Sequence, residues 1–280
     1  MDSIEEKRVY DDREGATRAY VASSFGVVRV QAAGDSVGEF SLCERCDARD
    51  IAAADGTVAI ATDEDVRLLR SGIGTTDETT AFAETGFGPA VAVGADGSRL
   101  LAAGPDGRIA RLNDDNWVTI EDDLGASVRA IDGGLIGTDR GVYRVHEGGL
   151  DHAGLTDVRD VSAAGVPLAA TDDGLYKLGN GWMSILEGAF DVVSADPRSE
   201  PGRLVRAHAV SDETVSEYTA ADGTWRELEH PHDPVVDVAY GDAVYAVTED
   251  GMFTAATDGE WRSQVLGVDG VTGLAVSLGQ

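Results

Sequence analysis

"LAATDDGLYKL", residues 168–178, decides the fold, because it returns in register as "YAVTEDGMFTA" at residues 245–255. In both, a short apolar run ends in threonine, two acidic residues and a glycine follow, and a second run of alternating character begins. Five further versions lie along the chain: "YVASSFGVVRV" (20–30), "AIATDEDVRLL" (59–69), "LAAGPDGRIARL" (101–112), "LIGTDRGVYRV" (135–145) and "HAVSDETVSEY" (208–218). Aligned on the glycine, the anchors are Gly26, Asp65, Gly107, Gly141, Gly174, Thr214 and Gly251. Their spacing of 33 to 42 residues is the mark of a repeat architecture.

The repeated unit reads as a β-hairpin. Asp-Gly and its relatives supply the positive φ of a tight turn, and the flanking β-branched and aromatic residues suit a pleated, partly buried surface. Asp65 and Thr214 lack the glycine, so a locally different turn is expected there. Ahead of the hairpins lie further strand-like segments such as "RDIAAADGTV" (49–58), "AVAVGADGSR" (90–99), "VRAIDGGLI" (128–136), "VRDVSAAGVP" (158–167) and "VVDVAYGDAV" (235–244). Behind them a fourth segment often starts near a tryptophan: Trp117, Trp182, Trp225 or Trp261. These tryptophans are expected to pack on the outer strands of their own blades. Four strands in about 40 residues make a β-propeller blade. The small apolar residues of the two inner strands fit the crowding near a central axis.

The two ends of the repeat complete each other. The first hairpin, from Ala19, has no innermost strand before it, and "VTGLAVS" (271–277) is an innermost strand with no hairpin after it. Joined, they form one blade and remove the open edges of the ring. The expected fold is all-β: a seven-bladed β-propeller of four-stranded antiparallel blades, closed by the C-terminal strand. Two stacked β-sandwiches would explain neither the register nor the split blade. Residues 1–17 form an N-terminal extension, in which "SIEEK" either caps a short helix or runs along the rim. Residues 18–280 form the propeller, with blades at 18–46 plus 271–278, 47–87, 88–124, 125–155, 156–187, 188–232 and 233–269. The sixth is longest because "DPRSEPGR" (196–203) widens its first turn.

Composition bounds the setting. Of 280 residues 42% are hydrophobic, enough for a sizeable core. Acidic residues number 51 against 22 basic ones, a net charge of −29, and Lys7 and Lys177 are the only lysines. Self-repulsion of this size is tolerable where salt screens it; at molar salt the Debye length is about 3 Å. The acidic residues therefore read as the solvated surface of a protein in a salt-rich cytoplasm rather than as a cation site. The same charge repels the phosphates of nucleic acid. No apolar run approaches the roughly 20 residues of a membrane helix, and the charged start, "MDSIEEKRVYDDRE", is unlike a secretory leader. The expectation is a cytoplasmic protein bound to neither nucleic acid nor membrane.

The residues also resemble a known family. The "EEKRVYDD" start, "YVASSFGVVRV" and "SLCERCDARDIAAADG" are similar to a β-propeller family of halophilic archaea known by fold and not by activity. That resemblance implies a propeller in a salt-adapted cytosol and no catalytic residues to carry over. More loosely, "TDGEW" (257–261) and "ADGTW" (221–225) are similar to the Asp-box turns of sialidase-like and photosystem-assembly propellers. The aspartate stands closer to the tryptophan than in the usual Asp-box, and the sialidase arginines have no counterpart. This likeness bears on blades alone.

Two groups of residues carry candidate chemistry. Cys43 and Cys46, in "LCERCD", are the only cysteines and sit where the outer strand of the composite blade hands over to the next. The spacing suits two thiolate ligands to zinc, a redox pair, or inert structural thiols. A closed zinc site needs four ligands. His230 and His232, in "EHPHDP", belong to the connection between the sixth and seventh blades, which places them too far around the ring, whereas a zinc bridging two subunits stays open. The second group is positional. Arg49 and Asp50, Arg129, Arg159 and Asp160, Asp191 and Asp237 stand at the starts of innermost strands, which gathers them near one mouth of the central channel. There they either bind a ligand or partner or pair with one another as interblade salt bridges. His208, inside a strand, reads as a packed core histidine, and Asp172 and Asp173 read as turn-forming.

The expected function is a non-enzymatic protein-interaction or scaffold module, monomeric or weakly oligomeric, whose loop face or channel mouth binds a protein partner. No nucleophile elbow, phosphate-binding loop, HExxH or EF-hand pattern is present. No cofactor is expected; zinc is the option that Cys43 and Cys46 leave open. The alternative is a hydrolase or lyase acting on a small substrate at the channel mouth.

Overall fold

The computed structural model describes residues 17–54, 56–70, 81–97, 99–211, 214–229, 234–257 and 259–277. Within them, seven four-stranded antiparallel sheets form the blades of a propeller. The innermost strands of blades 1 to 7 are Val271–Ser277, Ala48–Ala54, Ala92–Asp96, Val128–Asp132, Val158–Ser162, Val192–Ala195 and Val235–Tyr240. Each touches the next around the axis, and the seventh meets the first. Val271–Ser277 pairs antiparallel with Thr17–Ser23, with Leu274 opposite Val21, and so completes blade 1. Fold, blade number and ring closure are those expected. Apart from Thr17, which opens the first strand, the N-terminal extension and its "SIEEK" segment lie outside the described residues, as do His230 and His232.

The repeated turn forms for reasons visible in its residues. The serine or threonine that ends the second strand folds its hydroxyl back onto the carbonyl three residues on: Ser23 onto Gly26 at 2.9 Å, Thr138 onto Gly141 at 2.8 Å and Thr171 onto Gly174 at 2.8 Å. This is the local hydroxyl-to-backbone bond for which Ser and Thr are favoured in turns. The glycine has a second purpose. A Cβ at Gly26, whose φ is +139°, would lie 2.0 Å from the carbonyl oxygen of Glu44, on the connection to the next blade. The turn and that connection are stacked backbone on backbone.

Asp65 replaces the glycine in blade 2, where a different turn was expected; the turn keeps the same bond, Thr62 donating its hydroxyl to the Asp65 carbonyl at 2.7 Å, and the Asp65 side chain acts on the connection instead. It is buried, and its carboxylate accepts four backbone N–H bonds at 2.8–2.9 Å, from Val66, Thr85, Gly86 and Gly88. A side chain thereby pins the start of the connection into blade 3.

The core lies between blades rather than in one central mass. Ala59, Ala61 and Leu68 of blade 2, for instance, pack on Val93, Ala102 and Leu112 of blade 3. The tryptophans differ from expectation: they face the preceding blade. Trp182 of blade 5 donates its indole N–H to the Ala153 carbonyl of blade 4 at 2.9 Å. Trp117 of blade 3 donates to Thr85 Oγ1 at 3.0 Å and meets the Phe87 ring edge-on, centroids 4.8 Å apart. Trp225 and Trp261 join the clusters between blades 5 and 6 and between blades 6 and 7. An outer strand exposes much of one face to solvent, so a large ring beside it gains more burial in the wedge between blades.

His208 is fully buried, as a core histidine should be. Its Nδ1 lies 2.6 Å from the Tyr240 hydroxyl of the next blade. Beside it, buried Glu217 is held between Arg206 and Arg226, whose guanidinium groups keep its carboxyl below the usual range against the opposing effect of burial.

Candidate functional site at the channel mouth

Strands alternate in direction along each blade. The starts of the innermost strands, the turns between second and third strands, and the connections between blades therefore share one face. At that face the innermost strands are bulged. Pairing with the second strand slips at Arg49, Arg129, Arg159, Val236 and Thr272. In the other two blades the N–H of Val91 and of Asp191 reaches the same residue that Ala92 or Val192 faces. A bulge leaves one residue unpaired and re-aims its neighbours' side chains. The residue after the bulge is Gly273, Asp50, Ala92, Ala130, Asp160, Val192 and Asp237 in blades 1 to 7.

The three aspartates in this set share one arrangement. One carboxylate oxygen accepts the N–H of the residue that follows: Ile51 at 2.8 Å, Val161 at 2.8 Å and Val238 at 2.7 Å. The other reaches across to the innermost strand of the next blade, accepting from Val93 at 2.8 Å, Val193 at 2.8 Å and Leu274 at 2.7 Å. Each aspartate is half-buried, with protein around most of it and some solvent access remaining. Burial pushes Asp50 and Asp237 up to about 7 and Asp160 up to about 8. The backbone N–H donors act in the opposite sense, and repulsion between carboxylates adds to the rise: Asp160 on Asp50, Asp237 on Asp160, Asp50 on Asp237. Two residues farther along the blade 4 strand, Asp132 accepts the Ala163 N–H of blade 5 at 2.7 Å, and burial raises its carboxyl too.

The arginines behave differently from one another. Arg159 pairs with Asp191 of blade 6 and with Asp172 of its own hairpin turn. This is the interblade ion pair anticipated from the alternating signs, but Asp172 is more than a turn former. Arg129 donates to the Val158 carbonyl of blade 5 at 3.3 Å. Arg49 is exposed and has no ion-pair partner among the described residues. Asp191 precedes its strand at the arginine position, so it answers Arg159 rather than joining Asp50, Asp160 and Asp237. The seven candidates thus stand around one mouth yet divide into rim charges and inward carboxylates. The bulge, which has no signature in residue type, separates the two.

Cys43 and Cys46 are free and half-buried beside Val27, Ala48 and Ile51. The Cys43 thiol donates to the Val27 carbonyl at 3.2 Å. Burial pushes both thiols up to about 11, which favours the protonated form over the thiolate that binds metal or attacks a disulfide. Among the described residues no three of His, Cys, Asp and Glu stand together as a metal-holding group, and no helix is long and apolar enough to cross a membrane.

A family model described as Beta-prop_HVO_0234-like, beta propeller, matches residues 3–277. The chain belongs to this family. Its members' fold, a propeller, is the one found here, and the family resemblance noted in "YVASSFGVVRV" and "SLCERCDARDIAAADG" is borne out. Among curated proteins none matches. Among solved structures this HVO_0234-like propeller is similar to the WD40 propeller domain of Doa1, at 16% identity and TM-score 0.62, covering 91% of this chain and 89% of that one. It is similar also to YCF48 bound to a D1 peptide, at 16% and 0.56, covering 79% and 82%. Apo AztD from Citrobacter koseri matches at 12% and 0.57, covering 92% and 84%. At these identities the likeness is one of fold.

Proposed function

We propose that this protein is a non-enzymatic interaction module in a salt-adapted cytoplasm, docking a protein partner on the face that carries the channel mouth. The observation that supports this reading is how the inward carboxylates are used. Asp50, Asp160 and Asp237 are each held by two backbone N–H groups, one of them from the neighbouring blade. That use is architectural, and it leaves the exposed turns and rim to meet a partner. On the same face Phe25 stands 62% exposed at a turn beside the connection that leads to Arg49. Aromatic and arginine side chains are residue types enriched at the cores of protein interfaces. The solved YCF48 complex, in which a propeller of similar fold holds a peptide, is consistent with such a role. The net charge of −29 disfavours nucleic acid and anionic membranes as alternatives. The module acts as a monomer or weak oligomer.

The test is affinity capture from a salt-adapted host at native ionic strength, using the whole chain and a Phe25→Asp, Arg49→Glu variant. A reproducible partner held by the first and lost by the second is the expected result. The competing reading, a hydrolase or lyase at the mouth, draws on the Asp160 carboxyl, whose rise to about 8 suits proton transfer near neutrality. Consistent absence of a partner, together with turnover of small substrates that Asp160→Asn abolishes, would replace the first reading by the second.

A further inference from the structure

On the opposite face, where the innermost strands end, a cleft of about 720 Å³ opens between blades 2 and 3. Arg70, Arg99 and Arg111 line it, with Leu68, Leu100 and Leu112 as apolar wall. A second cleft of about 370 Å³ shares Leu68, Arg70 and Leu112 and runs on toward the outer strand of blade 2 at Ala83. In a chain with 22 basic residues against 51 acidic ones, three guanidinium groups on one cleft are unexpected. They are also incompletely neutralised. Arg70 meets Asp115 at 3.0 Å, but both side chains are largely exposed, a setting in which ion pairs contribute little. Arg111 comes only within 3.9 Å of Asp96, and Asp114 is the one acid among the described residues that line the larger cleft. Arg99 is exposed, with no acid in ion-pair range among the described residues. The Nε of Arg111 is buried without a hydrogen-bond acceptor among the described residues. Such a donor is costly to leave unmet.

We propose that this cleft binds a small organic oxyanion, phosphorylated or polycarboxylic, seated on Arg99 and Arg111 with Arg70 at its rim. Guanidinium forks match the paired oxygens of phosphate and carboxylate and hold them through two parallel hydrogen bonds. The cleft volume falls within the roughly 300–1,000 Å³ of small-molecule sites, and the leucines supply the apolar wall that such sites present to a ligand's body. Arg111, whose side chain is mostly buried, is screened by salt less than a charge on open surface. The inference is independent of the partner face, since the two lie on opposite sides of the disc.

The experiment is isothermal titration of the whole chain with inorganic pyrophosphate and with citrate, in molar potassium chloride. Saturable binding of at least one probe at one site is expected, and which probe binds distinguishes phosphate from carboxylate recognition. Arg99→Ala and Arg70→Ala, both at exposed positions, should each weaken it about tenfold, as loss of a hydrogen bond between charged groups does. Arg262→Ala, at an exposed position on the outer strand of blade 7, should leave it unchanged. Thermal unfolding of each variant verifies that it is folded. The proposal is overturned if neither probe saturates, or if the Arg70 and Arg99 variants bind as the wild type does.

Discussion

Asp160 of blade 5 accepts the backbone N–H of Val193 in blade 6 at 2.8 Å, and the same carboxylate accepts the N–H of Val161 in its own strand. Asp50 and Asp237 repeat the arrangement at two other blade junctions. A carboxylate in this position stitches one innermost strand to the next where no strand-to-strand ladder runs.

These stitches make stability depend on pH. Asp160 rises from 3.8 to about 8, and Asp50 and Asp237 to about 7, chiefly through burial. Across that interval the folded protein binds more protons than the unfolded chain. The stability linked to these groups is therefore full below about pH 4 and is lost as pH rises toward 8. Asp160→Asn removes one such group. Its deficit relative to the wild type is expected to be about 1–3 kcal/mol near pH 5 and to shrink toward pH 8. Denaturant titrations at both pH values check this; a deficit that grows with pH contradicts it.

Asp65 is expected to be among the most sensitive single positions outside the apolar core. Asp65→Ala strands four N–H donors, from Val66, Thr85, Gly86 and Gly88, and should cost about 3 kcal/mol or more. Asp65→Gly restores the residue found at the same register in five other repeats, yet it should be no better, because those four donors remain unmet. Chemical denaturation of the two variants side by side tests this.

The wedge role of the tryptophans can be measured separately from their hydrogen bonds. Trp182→Phe keeps most of the apolar contact and loses the bond to Ala153, for an expected loss of about 1 kcal/mol. Trp182→Ala empties the wedge and should cost about 3 kcal/mol. A smaller loss in the alanine variant than in the phenylalanine one would place the ring's contribution elsewhere.

Alkylation kinetics report on Cys43 and Cys46. With both thiols raised to about 11 by burial, labelling of the native protein near pH 8 should be about a hundredfold slower than in denaturant. Zinc analysis of the same preparation tests the metal reading. Rapid labelling together with no bound zinc removes it.

What was legible in the chain was whatever is local. A Thr-Asp-Asp-Gly turn carries its own instructions, since the Thr171 hydroxyl and Gly174 meet within one loop, and so the hairpins, their number and the split blade could be read directly. The site was harder. Arg159 and Asp160 are adjacent in sequence and look like partners for equivalent charges around a ring. The bulge parts them, sending Arg159 to Asp191 and Asp172 and Asp160 to the backbone of Val193. Asp65 looked like a missing glycine, because the donors it satisfies are about twenty residues on. Sequence alone places the tryptophans on their own blades, because burial in a wedge depends on a neighbouring sheet that no local pattern announces. The arginine cleft has no signature in the sequence for the same reason: Arg70, Arg99 and Arg111 meet only once two blades are set side by side.

The pairing of Thr17–Ser23 with Val271–Ser277 also sets an order of events during synthesis. Blades 2 to 7 are each contiguous in the chain, so each can assemble soon after its own residues emerge. The first hairpin precedes the other six blades in the chain and must wait until they have been made before its inner neighbour arrives. Until then the N–H and C=O groups on the inner edge of Thr17–Ser23 stay open to mispairing with any passing strand. Ring completion is thereby a late, long-range step, and one that a nascent-chain chaperone or a slowed translation rate would be expected to influence more than the formation of any single blade.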